Sequence, residues 1–146
     1  LAASHYEAAC KVYRGDLSAD DPYSAALEDL RNLLRERYTA ALDWLGDYYW
    51  HEAQDYAKGI LMFKQRLALD EAHEPAHQAL IRLYLENGQV SSARQQYAAC
   101  RESLRTQLGV APSRATDSLL QLAISMESEA VSTAAEYKPA LKRKRG

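Results

Sequence analysis

The sequence predicts an all-α protein made of stacked helix pairs, and an internal repeat of 34 residues is the first observation that predicts it. Residues 54–63 are echoed by residues 88–97, and both segments end in a small residue, three spacers and an aromatic residue. Apolar residues also recur three or four positions apart along most of the chain, which is the period of an α-helix. No segment shows the strict alternation that predicts a β-strand.

Each copy of the repeat is predicted to hold two amphipathic helices. Upstream of the echo, residues 45–49 are matched by residues 80–84, and the small residue, Gly59 or Ala93, would let the second helix pack closely on the first. This period and pattern are typical of a tetratricopeptide repeat, whose copies stack into a right-handed superhelix. Because such a stack presents a groove to another macromolecule, the pattern favours a binding module over an enzyme.

The amino-terminal half is predicted to hold a short helix and a long one. Ser4 can cap the first helix and Gly15 ends it. Asp21 and Pro22 suit the cap and the first position of the second helix, whose apolar spacing runs on without a proline to about Glu52.

Four further helices complete the predicted stack, which makes six, or seven if the long helix breaks. Their approximate bounds are residues 55–69, 75–88, 90–109 and 113–128, with Pro75 opening the second of them and Gly109 ending the third. The last helix would be half of a third repeat and would cover the open end of the stack.

Composition supports one folded domain followed by a tail. The chain has 146 residues, of which 47% are hydrophobic, enough for one core. Helical periodicity fades after about residue 128, so we expect a domain over residues 1–128 and a disordered basic tail over residues 129–146. The last nine residues carry five of the 18 basic side chains and no acid, which leaves a formal charge of −7 before them. A domain with this negative charge is not expected to bind nucleic acid by itself. The Lys142–Arg145 cluster is either a solvated tail or a contact to DNA.

The remaining bulk features predict a cytoplasmic protein. Cys10 and Cys100 lie far apart at apolar helical positions, which indicates buried thiols in a reducing compartment. No apolar run approaches the ~18 residues of a membrane span, and the first residues lack a secretory pattern.

Several segments together resemble a known family. They are Tyr13–Leu17 near the start, Glu74–Tyr84, Ala93–Tyr97 and the closing run Leu108-Gly109-Val110-Ala111-Pro112-Ser113. Over about residues 8–126 the chain closely resembles the bacterial transcriptional activator domain of antibiotic-pathway regulators of actinomycetes and of larger multidomain regulators. One departure is that residues 45–54 run one residue longer than residues 80–88.

The resemblance implies an all-helical, tetratricopeptide-like regulatory module. In that family the module follows a winged helix-turn-helix that reads DNA, and no winged-helix sequence is present in these 146 residues. It therefore implies DNA binding only through a linked domain, and a protein partner in the transcription machinery or in the same regulator. A homodimer remains open. The alternative is a generic tetratricopeptide scaffold, unrelated to transcription, that binds a peptide or protein.

One motif formally suggests a metalloenzyme. Residues 73–77 read His-Glu-Pro-Ala-His, the zinc-protease pattern H-E-x-x-H. Pro75 biases Glu74 away from helical angles, so the two imidazoles need not share a helix face, and no third ligand follows. A metal-dependent hydrolase is the least favoured reading. We expect no metal, no cofactor and no catalytic residue, because no nucleophile–base grouping or glycine-rich phosphate loop can be assembled either.

The predicted partner site is the concave face of the stack. There Leu42, Leu45 and Tyr49 fill the inward stripe of one helix, so Trp50 is expected to lie partly outside the core, where it could offer apolar area to a partner. The six predicted groove residues are Asp43, Asp47 and Trp50 from one helix and Gln78, Arg82 and Glu86 from the next.

Overall fold

The computed structural model describes residues 23–142, with side chains to residue 137, and every regular element in that range is helical. The prediction of an all-α, tetratricopeptide-like fold is confirmed. The predicted first helix and the residues after Lys142 lie outside the described range. In chain order the elements are α1 (Ser24–Asp47), a π-helical turn (Tyr48–Glu52), α2 (Tyr56–Leu69), α3 (Glu74–Glu86), α4 (Val90–Leu108) and α5 (Arg114–Lys142).

The chain divides into two compact units, residues 1–44 and residues 45–146. In the first unit the structure describes a single helical stretch, the larger part of α1. The second unit holds the end of α1 and all later elements. Nothing in the described residues is long and apolar enough to cross a membrane as a helix.

The π-helical turn accounts for the extra residue in the first repeat. Its widened geometry is seen where the Ala53 amide donates to the Tyr48 carbonyl, five residues back, at 3.0 Å. A π turn holds one residue more than an α turn, so the insertion is absorbed before the chain leaves the helix. The two copies then come back into register, since Gln54 and Gly88 both take positive φ, 50° and 73°.

The core of the second unit lies where α3 packs between α2 and α4. Leu80, Ile81 and Leu83 of α3 are fully buried. The two small residues of the repeat are both buried: a Cβ on Gly59 would lie 3.5 Å from Leu83 Cδ1 and 3.7 Å from the Gly46 carbonyl oxygen, and Ala93 is fully buried in α4. The close approach that these residues permit is what keeps the helix pairs tightly packed.

The last helix is longer than the sequence pattern suggested. It continues to Lys142, and residues 129–137 are all exposed. The disorder expected for residues 129–146 stays a prediction. Residues 129–138 contain no glycine or proline and are rich in alanine and glutamate, which favour helix without any packing. The domain boundary near residue 128 stays a prediction.

Candidate interaction face on α3

Three of the predicted groove residues share one face of α3. Gln78, Arg82 and Glu86 are spaced four apart, which places them one above the other along the helix. Gln78 is half-buried, whereas Arg82 and Glu86 are exposed. The structure therefore provides a polar stripe about two helical turns long on a helix whose other side is the core.

Both ends of this stripe are tied to neighbouring elements. At one end the Gln78 amide donates to the Thr116 hydroxyl at the start of α5, at 2.9 Å. At the other end the Trp50 indole N–H donates to the Glu86 carboxylate at 2.7 Å. A hydrogen bond from a neutral donor to a carboxylate is among the stronger kinds, and it fixes the Glu86 rotamer.

Arg82 lies between these two anchored residues. Its side chain is exposed and makes no ion pair within 4.0 Å with any of the residues that the structure describes. A guanidinium presents a planar fork of N–H donors that matches a carboxylate in two parallel hydrogen bonds. Arg82 is thus a cation that remains available for an acidic group on another molecule.

The expectation that Trp50 lies partly outside the core is wrong. It is only 9% exposed and belongs to the core, where its ring also stacks on His51 with centroids 4.3 Å apart. From Leu45 to Tyr49 the two repeats are offset by 35 residues, and the same offset matches Trp50 with Leu85, which is 6% exposed. Applied to Trp50, that offset would have predicted its burial from the sequence. Trp50 therefore supports the face by holding Glu86, and it does not offer a free aromatic surface.

The two remaining groove residues lie on α1. Asp47 is the exposed last residue of that helix and belongs to the second unit, whereas Asp43 is half-buried and belongs to the first. The six-residue groove stays a prediction, since its members are divided between the two units.

A polar cluster joins the start of α3 to the start of α5. One oxygen of the Glu74 carboxylate accepts from the Ser113 amide, at 2.7 Å, and from the Thr116 hydroxyl. Burial raises the pKa of Glu74, but the hydrogen bonds from Thr116 and Ser113 favour the charged form, and the net pKa is lowered. The cluster gives the closing motif Leu108–Ser113 a structural role, because Gly109 ends α4 in the left-handed conformation and Ser113 attaches the next helix to α3.

Thr116 is a functional residue of this cluster that the sequence pattern could have indicated. It is fully buried, three residues before Leu119 on the apolar stripe of α5. A hydroxyl at a core position requires a partner, and both Glu74 and Gln78 provide one.

The residues of the H-E-x-x-H pattern have structural roles in the fold. His73 caps α3 and Pro75 follows in its first turn. Both ring nitrogens of His77 have protein partners at 2.7 Å, the Glu71 carbonyl at Nε2 and the Gln96 amide at Nδ1. Since the amide donates to Nδ1, the proton sits on Nε2 and the ring is neutral. Burial lowers the pKa of His77, against the opposing effect of the Glu71 carbonyl.

The described part of the chain offers neither a reactive thiol nor a cluster of metal-binding side chains. Cys100 is a free thiol with no exposed area, and burial first, then the charge of Glu74, raises its pKa to about 12. The thiol is therefore not a nucleophile at neutral pH. Within residues 23–142 no three His, Cys, Asp or Glu side chains are grouped so that they could hold a metal ion. Cys10 lies outside the described residues.

The fold and the closing motif agree with the comparison of the chain with known families. The family model for the bacterial transcriptional activator domain matches residues 1–122. No curated protein and no solved structure matches the chain significantly. The matched range covers most of the chain and includes all of α1 to α4, the Leu108–Ser113 motif and the packed start of α5. The chain belongs to the bacterial transcriptional activator domain family.

Proposed function

We propose that this chain is the non-enzymatic regulatory domain of a bacterial transcriptional regulator and that it binds a protein segment on the exposed face of α3. Membership of the family associates the chain with transcription activation. In this proposal a winged helix outside these residues reads the DNA, and the protein works in the cytoplasm. The partner is a protein of the transcription machinery or another domain of the same regulator.

The observation that carries the proposal is the availability of Arg82 between Gln78 and Glu86. The two flanking side chains are held by Thr116 and Trp50, so a partner that binds here does not have to order them. Arg82 itself is exposed, and no acid among the described residues neutralises it. An acidic side chain on the partner would pair with this guanidinium, and arginine is enriched among the residues that dominate binding energy.

A charge reversal tests the proposal in the full-length regulator. Arg82→Glu should reduce reporter activation several-fold, because it replaces the attraction for an acidic partner group by repulsion. DNA binding in a mobility-shift assay and the melting temperature should stay near wild type, since the side chain is exposed and makes no ion pair with the described residues.

Arg101→Glu is the matched control. Arg101 is also an exposed arginine without an ion pair in the described range, but it lies on α4. The Arg101→Glu variant should leave activation unchanged. Equal loss in both variants would indicate a general effect of charge, and unchanged activation in folded Arg82→Glu would overturn the proposed face. A third outcome would favour the generic scaffold. In that case the wild-type domain captures a protein partner, Arg82→Glu does not, and the partner has no role in transcription.

A further inference from the structure

The first half of α5 carries an exposed leucine on the side that faces away from α4. The helix is bonded to α4 through two acidic residues: Asp117 accepts from the Tyr97 hydroxyl and Glu127 pairs with Arg94, both at 2.7 Å. Leu122 lies five residues from each of these acids, which is about 140° round the helix from both. It is 50% exposed.

That side of α5 borders α3. The buried residues Thr116, Leu119 and Ala123 lie between the α4 side of the helix and Leu122. Within the described chain the main neighbours of α5 are α3 and α4, and Thr116 accepts from Gln78 of α3 at 2.9 Å. The side beyond the core and away from α4 is therefore the side next to α3.

The helices α3 and α5 run in the same direction from this contact. The chain turns from α3 into α4 over Asn87–Gln89, and His77 near the start of α3 bonds Gln96 in the first half of α4, so these two helices are antiparallel. The two bonds between α4 and α5 also run in opposite order, since the later acid of α5 meets the earlier residue of α4. Two antiparallel steps make α3 and α5 parallel.

This arrangement places Arg82 and Leu122 at nearly the same level. Arg82 lies about 6 Å along α3 from Gln78, and Leu122 lies about 9 Å along α5 from Thr116, at the rise of a helix. Gln78 and Thr116 are themselves hydrogen-bonded, so they give both distances a common origin. One wall of the space between the two helices, which we call the α3–α5 groove, thus carries a cation and the other an exposed leucine.

We propose that the protein segment bound at the α3–α5 groove carries an acidic residue beside a large apolar residue, with the acid on Arg82 and the apolar side chain on Leu122. This inference rests on the proposed binding of a protein segment to α3 and adds the chemistry of that segment. Arg82 is exposed and makes no ion pair with the described residues, so an acid is its complement. Because an exposed ion pair contributes little alone, the apolar contact beside it supplies affinity and excludes water.

Selection of short random peptides on the whole chain tests this chemistry. The peptides that are enriched should share an aspartate or glutamate next to large apolar residues. Fluorescence anisotropy then measures their affinity, which Leu122→Asn should lower about tenfold, the loss of a typical hot-spot residue. Replacing the peptide's acid by its amide should weaken binding to the wild type but not to Arg82→Gln, because the charge pair is then already lost.

Ile124→Asn is the matched control for Leu122→Asn. Ile124 is 39% exposed on the same turn of α5, but it lies about 160° round the helix from Leu122, on the α4 side. It should leave peptide affinity unchanged. Both variants alter exposed positions, so circular dichroism should show unchanged helix content.

The outcomes separate this inference from the proposed function. No enriched peptide, enriched peptides without an acid, or equal losses in Leu122→Asn and Ile124→Asn would overturn the inference. Peptides that depend on Arg82 but not on Leu122 would overturn it as well and leave the face on α3 intact. Acidic, apolar peptides that depend on both residues would support it even if reporter activation by Arg82→Glu were normal, a result that would overturn only the role in transcription.

Discussion

Phe63 of α2 lies directly against the backbone of Gly46 at the end of α1. A Cβ atom placed on Gly46 would come within 2.7 Å of Phe63 Cζ and 2.8 Å of Cε2, closer than carbon atoms approach. Phe63 is only 4% exposed, so its ring has no free direction in which to move. Glycine at position 46 is what allows the Phe63 ring to approach the backbone this closely.

Gly46→Ala should therefore lower the free energy of unfolding, by about 1–3 kcal/mol, the usual cost of overpacking a core. Gly59→Ala is the control in the same packed region, because its Cβ would lie 3.5 Å from Leu83 Cδ1, an ordinary contact. Alanine is also the better helix former, so Gly59→Ala should be neutral or stabilising by about 0.5–1 kcal/mol. Urea denaturation measures both, and equal effects would contradict the account of the Gly46 contact.

Ala93→Leu should strongly destabilise the domain. Ala93 has no exposed area and belongs to the buried core of the second unit, so a larger side chain there would overpack the core. The expected cost is ~1–3 kcal/mol or more. Ala98→Leu, at an exposed position of the same helix, should change the melting temperature little. A melting temperature of Ala93→Leu close to that of wild type would show that the assigned register of the repeat is wrong.

Trp50 should act as a core residue. Trp50→Ala is expected to cost about 3–5 kcal/mol, as for other large aromatic truncations. Trp50→Phe keeps most of the ring but loses the indole N–H that binds Glu86, so it should cost less, roughly 1.5–3 kcal/mol for a hydrogen bond to a charged group. Chemical denaturation should give this order. A stable, folded Trp50→Ala would argue that the residue belongs to the solvent-exposed face after all.

The sequence alone was sufficient to predict the repeat and the positions of its buried small residues, because both depend on local periodicity. Gly59 and Ala93 could be assigned from their position in the echo alone, and both are buried where expected. The burial of Trp50 was missed because the offset between the repeats changes within a few residues, from 35 at Tyr49 to 34 at Gln54, and Trp50 was not aligned with its counterpart Leu85.

The candidate face could be predicted only in part. The helical spacing of Gln78, Arg82 and Glu86 follows from the sequence. The bonds that hold its two ends, to Thr116 and Trp50, join residues 38 and 36 positions apart. No local pattern specifies such contacts, because they depend on how the helix pairs stack. The length of α5 was also missed, since an amphipathic pattern reports packing, whereas residues 129–137 are helical without being packed.

His77 should make the domain less stable as the pH falls below neutrality. Its pKa in the folded protein is lowered from the ordinary 6.5, mainly by burial, so the unfolded chain binds the proton more readily. Stability therefore rises with pH in the window between the folded pKa and 6.5, and it is lost as the pH falls from 6.5 through that window. Protonation would also remove the acceptor at Nδ1 that the Gln96 amide requires. Glu74, whose pKa is lowered from 4.5, adds a further loss only at more acidic pH.

Urea titrations at a series of pH values between 7.5 and 5, a range chosen to bracket the ordinary histidine pKa, measure this dependence. His77→Gln should flatten the slope of unfolding free energy against pH, whatever it does to stability at neutral pH, because glutamine carries no titrating proton. A slope that survives unchanged in His77→Gln would remove the pH dependence from the buried imidazole.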